Sequence, residues 1–298
     1  MKQRIELRRM RDFGEIINDT FAFVKDNFKE LFKPMIIICS FFIVLGTISY
    51  AFMQTSMLEG LTDTTTNPGT RPSFTARYTN MGYLLGSVLY YISFTIYTLF
   101  VFVITYSYIA IYKDKPEGEK PSFSEVWGYL KYYLLRSLGS SILIVLIITV
   151  GTVLCFFPGV YLGTVLSLVL PVIILENTSF GFAFNKSFNL IKNNWWLTFG
   201  IIFVISLIIG FASSIASIPV MLLTLSKMFL KWNIVIFPLM LIFGLLANIL
   251  LMGYALLAIS LSLCYFSYSE QKEGTGLLNR IDTLGKNDDA SHLPTEQY

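Results

Sequence analysis

The sequence predicts an all-α, polytopic integral membrane protein: six transmembrane helices in three hairpins, each hairpin preceded by an amphipathic interfacial helix. Three observations predict it. First, the chain of 298 residues is 54% hydrophobic and only 14% charged, against about 25% charged in soluble domains. Second, residues 35–58, 78–112, 137–175, 193–226 and 232–269 contain no Asp, Glu, Lys, Arg or His, and runs of that length span a bilayer. Third, residues 13–32 are written a second time at 180–199, 167 residues later and without a gap. Phe13/Phe180, Gly14/Gly181, Asn18/Asn185, Phe21/Phe188, Lys25/Lys192, Asn27/Asn194 and Phe32/Phe199 are identical pairs. Chance at this composition supplies roughly one or two such identities, so an internal repeat is the better reading.

Residues 1–12 are short and basic. From Phe13 the apolar residues recur at 13, 16, 17, 21, 24, 28, 31 and 32, the 3.6-residue period of an amphipathic helix. Glu15, Asn18, Asp19, Asp26, Lys29 and Lys33 take the other face. Two placements fit this pattern: a helix in the cytoplasmic interface with its phenylalanines at the acyl boundary, or one packed on the protein's own bundle. Pro34 is expected to open the next helix, where its missing N–H costs nothing, and residues 35–54 form span 1. That run is of full membrane length and follows a long charged segment, so it is expected to remain as an uncleaved first span.

Residues 55–80, with TDTTTNPGTRPS in the middle, read as an exposed loop. Span 2 runs from Met81 to Tyr112; its tyrosines at 90, 91, 97, 106, 108 and 112 serve as interface anchors or line a polar seam between helices. A charged, proline-bearing loop at 113–122 leads to a further amphipathic segment at 123–138, in which Phe123 and Glu125 align with Phe13 and Glu15 as a degenerate third copy. The uncharged run 137–175 is too long for one span, and the turn dipeptide Pro158-Gly159 is expected to divide it into spans 3 and 4. Pro171 and Pro219 are further kink candidates. Span 5 starts near Trp196 and reaches the small-residue stretch 212–217, residues 221–232 form a short connection, and span 6 covers about 235–263. The membrane domain is thus 1–268, followed by a polar, largely disordered tail at 269–298 with a helical turn at 277–284.

Lys and Arg counts orient the chain. Six spans with the N-terminus inside put eighteen of them on the cytoplasmic side, and only Arg71, Arg77, Lys227 and Lys231 outside. That asymmetry favours cytoplasmic N- and C-termini. Both clear repeat copies then lie at the cytoplasmic surface. Their candidate site residues are Phe13, Asn18, Phe21, Lys25 and Phe28, and Phe180, Asn185, Phe188, Lys192 and Trp195. The aromatic residues form the apolar stripe. The asparagines flank it, where an amide reaches a span terminus or a headgroup, and the lysines face anionic headgroups.

The chemistry the sequence lacks is equally informative. A net charge of +3 with no basic patch in a soluble segment speaks against nucleic acid. Cys39, Cys155 and Cys264 each sit inside an apolar run and are expected to pack as small hydrophobes, and no metal-ligand spacing or cofactor fingerprint is present. His292, the only histidine, lies in the tail. No span carries an ionisable residue, the usual mark of ion-coupled transport. No catalytic constellation can be assembled from one histidine and interfacial carboxylates.

Several segments together resemble a known family. Gly14-Glu15-Ile16-Ile17-Asn18, Thr20-Phe21, Asn27-Phe28, Pro158-Gly159-Val160-Tyr161-Leu162, Leu170-Pro171-Val172-Ile173-Ile174-Leu175-Glu176, Ser187-Phe188 and Trp195-Trp196 are similar to the signature of the six-span domains related to the glycerophosphoryl diester phosphodiesterase membrane domain. The resemblance covers roughly residues 12–275. It implies a stand-alone bacterial membrane domain without the soluble phosphodiesterase to which some members are fused, so the enzymatic name does not transfer. Three readings of function follow: a non-enzymatic protein that assembles with or positions membrane partners or lipids, a carrier of lipid or another amphiphile, and an intramembrane enzyme. The missing ionisable residues disfavour the last.

Overall fold

A computed structural model describes residues 5–66, 81–116, 118–230 and 236–274. Every regular element among them is helical: α1 (Phe13–Thr66), α2 (Met81–Asp114), α3 (Phe123–Leu154), α4 (Phe156–Leu166), α5 (Val169–Leu175), α6 (Phe180–Ile191), α7 (Trp195–Leu230), α8 (Ile236–Leu250), a 3-10 turn (Leu251–Gly253) and α9 (Tyr254–Glu273). Six helical stretches are long and apolar enough to cross a membrane: Phe13–Met57, Met81–Asp114, Phe123–Leu154, Phe156–Leu175, Trp195–Ile215 and Phe237–Glu273. The molecule is a multi-pass membrane protein. α1 packs along α2, α3 along α4, and α7 along α8, while α9 reaches α1, α2 and α7.

The core sits at one end of the bundle. Residues 103–112 of α2, all of α5 except Leu170, and residues 258–268 of α9 are buried, so three returning segments meet at the centre. Toward the other end α2 is exposed at Leu84, Leu85, Val88 and Leu89, the apolar surface expected against lipid tails. Burying an aromatic there excludes 150–250 Å² of surface from solvent; Phe23, Tyr97, Tyr106, Tyr108, Phe266 and Tyr268 are all fully buried. The α2 tyrosines 97, 106, 108 and 112 therefore belong to a seam between helices, whereas Tyr91 is 62% exposed.

Several boundaries differ from those the sequence suggests. α1 continues through Pro34 and past residue 55 to Thr66; its break is at Asn27, with φ −115° and ψ 15°. Asn27 is buried and spans the break, its amide donating to the Phe23 carbonyl (3.0 Å) and accepting from the Tyr108 hydroxyl (3.0 Å). The side chain thus replaces bonds that the broken ladder leaves open. The second copy breaks at the equivalent place: α6 ends at Ile191, the Asn194 N–H donates to the Ile191 carbonyl (2.8 Å), and α7 starts at Trp195. α3 has no such break, and Ser137 stands at the aligned position. Its start is defined by a capping box, in which the Ser122 N–H donates to Glu125 (2.7 Å) and the Glu125 N–H to Ser122 Oγ (3.4 Å).

The turn between α3 and α4 is at Cys155, extended at φ −166° and ψ 146°, and not at Pro158-Gly159. Pro158 lies in the first turn of α4, where a missing N–H is tolerated. Gly159 is needed for a different reason from turn formation: a Cβ there would stand 2.1 Å from Thr152 Oγ1 and 2.9 Å from Thr152 Cα. Cys155 is exposed at this turn, unlike the buried Cys39 and Cys264, so only two of the three cysteines are packing residues. Pro171 is the third residue of α5 and has no N–H to offer the Ser167 carbonyl, and the chain breaks at Ser167-Leu168 between α4 and α5. Pro219 falls inside α7, which runs on to Leu230 where a short connection is expected. The tail's helical turn at 277–284, and the loop centred on Asn67–Arg77, lie outside the described residues.

Candidate functional site

The last turns of α9 bind the segment before α1, the end of α5, the side of α6 and the start of α7. Tyr265 donates to the Glu176 carboxylate, Ser267 Oγ accepts from the Arg11 N–H (3.0 Å), and the Tyr268 and Thr198 hydroxyls meet at 2.9 Å. Gln271 accepts from the Asn194 amide (3.1 Å), Lys272 donates to Asn189, and Glu273 pairs with Lys186 at 3.1 Å. α9 ends at Gly274, which takes the left-handed φ of +60° that glycine adopts without strain. Residues 269–273, assigned to a disordered tail on composition, are thus helical and hold the face together. The signal was present in the sequence as Lys272 followed by Gly274, a charged last turn and its αL cap.

Two ionic groups lock this face. On one side Arg11 is 4% exposed; its guanidinium contacts Asp19 at 2.7 Å and donates to the Leu7 carbonyl at 2.8 Å. On the other side Lys186 lies 2.6 Å from Glu176 and 3.1 Å from Glu273. Burial of Lys186 disfavours its charge, but the hydrogen bonds it donates to Glu176 and Glu273 outweigh that, and its pKa is raised above the ordinary lysine value. The sign follows: the pair's stabilisation is complete below the unfolded lysine pKa of about 10.4 and is lost as pH rises through the higher folded value. Lys186→Met is expected to cost roughly 1.5–3 kcal/mol, the usual size for charge-assisted hydrogen bonds. Melting temperature against pH checks this: the wild type should lose stability at high pH more steeply than the variant.

Beside Lys186 a shallow cleft of about 400 Å³ opens between α6 and α9, lined by Phe182, Asn185, Asn189 and Lys272. Its lining residues all belong to α6 and α9. Among the described residues no group of three His, Cys, Asp or Glu side chains could hold a metal ion.

The structure divides the repeated stretch differently from the apolar stripe read in the sequence. The buried face of the first copy is Ile16, Thr20, Phe23 and Asn27, whereas Phe13, Phe21 and Phe28 are 39%, 41% and 55% exposed. In the second copy Ala183, Ser187 and Leu190 are buried, Phe180, Phe188 and Trp195 are half-buried, and Asn185 is exposed. Asn18, Lys25 and Lys192 are exposed. Trp195 stacks on Phe199 at 5.2 Å and on Tyr161 at 6.0 Å. One face packs on the bundle, while Phe13, Phe21 and Phe28 look outward. Phe23 was missed because it breaks the period of the larger phenylalanine stripe, and its counterpart in the second copy is Leu190. No protein-family model, curated protein or solved structure matches this chain.

Proposed function

We propose that the chain is a non-enzymatic protein of the bacterial inner membrane that assembles with, or positions, membrane proteins or lipids. Both termini are cytoplasmic in this reading, which places the α9 end and the repeated helices on the cytoplasmic face. The chain is built from three hairpins, each led by an interfacial helix. Aligned positions support this: Ile16, Val126 and Ala183 are 0% exposed, and Thr20, Leu130 and Ser187, then Phe23, Tyr133 and Leu190, are 5% exposed or less. The resemblance to membrane domains of the phosphodiesterase family is in keeping with such an architecture.

The observation that carries the functional reading is a filled interior beside a broad apolar flank. The centre is occupied by tyrosines and aliphatics, whereas α3 and α4 expose Leu135, Val153, Leu154 and Phe157 at 79–82%. A flank of that kind is a surface for lipid or for another transmembrane helix. Purification in mild detergent, followed by mass spectrometry of co-purifying proteins and lipids, tests it. A protein or lipid recovered in fixed ratio, and crosslinked through position 153, is the expected result. A chain that emerges alone, with only bulk lipid, overturns it.

One observation favours a carrier of amphiphiles instead. α8 breaks at Leu251–Gly253 beside a buried polar layer in which Asn248 donates to Thr47 Oγ1 at 3.3 Å, and the Ser93 hydroxyl has no hydrogen-bond partner among the described residues. Broken helices beside polar groups are where carriers hold cargo. Recovery of a lipid protected inside the bundle would select this reading.

A further inference from the structure

We propose that the early turns of α1 and α3, and the segment leading into α7, carry three seats for anionic phospholipid headgroups, at Lys25, Lys131 and Lys192. The inference rests on the placement of these segments at the membrane interface and deepens it by naming the lipid chemistry. Charge complementarity carries it. Six carboxylates around this face are taken up internally: Glu15 and Asp19 by Arg9 and Arg11, Glu30 by Lys120, Glu125 by Lys115, and Glu176 and Glu273 by Lys186. Lys25, Lys131 and Lys192 are exposed, and among the described residues none of the three has a carboxylate within ion-pair distance. The surface therefore presents uncompensated positive charge where lipid phosphates lie.

Each of these lysines also stands four residues from an exposed aromatic. Phe21 precedes Lys25 by four residues, Trp127 precedes Lys131 by four with the ammonium 5.0 Å over its ring, and Trp196 follows Lys192 by four. Phe21, Trp127 and Trp196 are 41%, 38% and 78% exposed. An aromatic at the acyl boundary with an ammonium four residues away matches a phospholipid, whose phosphate sits just above its first methylenes. A free phosphate would use the charge and leave the aromatic without a role.

The full chain, purified in detergent and given equimolar phosphatidylglycerol and phosphatidylcholine, is examined by native mass spectrometry. Retained phosphatidylglycerol should exceed phosphatidylcholine by about fivefold for each seat, the preference one lysine supplies near a membrane surface, and molar salt should abolish it. The combined variant Lys25→Gln, Lys131→Gln, Lys192→Gln should retain the two lipids equally at an unchanged melting temperature, since all three side chains are exposed. Equal retention by the wild type, or an undiminished preference in the variant, overturns the proposal. So does displacement of the lipid by millimolar inorganic phosphate, which would mark a free-anion site. A reporter fused after Tyr298 that reads external would sink the cytoplasmic orientation while leaving the lipid preference to be judged on its own.

Discussion

Phe23→Ala is expected to cost about 3–5 kcal/mol, the range for emptying a fully buried aromatic site, whereas Phe21→Ala, two residues away, should cost less than about 1 kcal/mol. Phe23 is completely buried, with its ring against Tyr108 at 6.2 Å and Tyr112 at 5.1 Å. It also sits one turn before the α1 break, where its carbonyl is held by Asn27. Its loss removes the contact between the first turns of α1 and the buried end of α2. Thermal unfolding in detergent of the two variants measures the difference directly. Spin labels give an independent check: position 21 should report contact with lipid and position 23 an immobilised, protein-buried site. Similar losses at both positions would mean that the helix lies on its phenylalanine stripe and not on the Ile16, Thr20, Phe23 face.

Gly159→Val should abolish most of the folded protein. The substituted Cβ would fall 2.9 Å from Thr152 Cα, and a backbone atom cannot move aside as a flexible side chain can. The α3–α4 hairpin would have to open, and overpacking of this kind costs about 1–3 kcal/mol or more. Two companion variants separate close approach from turn geometry. Pro158→Ala should be nearly silent, because Pro158 is exposed within the first turn of α4. Combining Gly159→Val with Thr152→Ala should recover only part of the yield, because it relieves the 2.1 Å contact with Oγ1 but not the one with Cα. Wild-type yield for Gly159→Val alone would mean that α3 and α4 do not cross so closely.

What the sequence determined by itself was the helical class, the number of candidate spans, and the location of the repeated segments, since each rests on composition or periodicity summed over many residues. Even the start of α3 was legible, because Ser122 and Glu125 cap it through local bonds alone. What only the tertiary structure decided was which side of each helix is inner and where each helix breaks. In a membrane protein both lipid and core are apolar, so Phe21 and Phe23 carry the same hydrophobic signal and only packing against α2 tells them apart. The breaks are likewise decided by partners distant in the chain: Asn27 is stabilised by Tyr108, Asn194 by Gln271, while Pro34, the stronger local breaker, lies within a continuous helix. Hydropathy ends the last span near Leu263 and assigns residues from 269 on to a tail, yet charged residues of that stretch close the site, because Lys186 and Glu273 meet only when α6 and α9 are folded side by side.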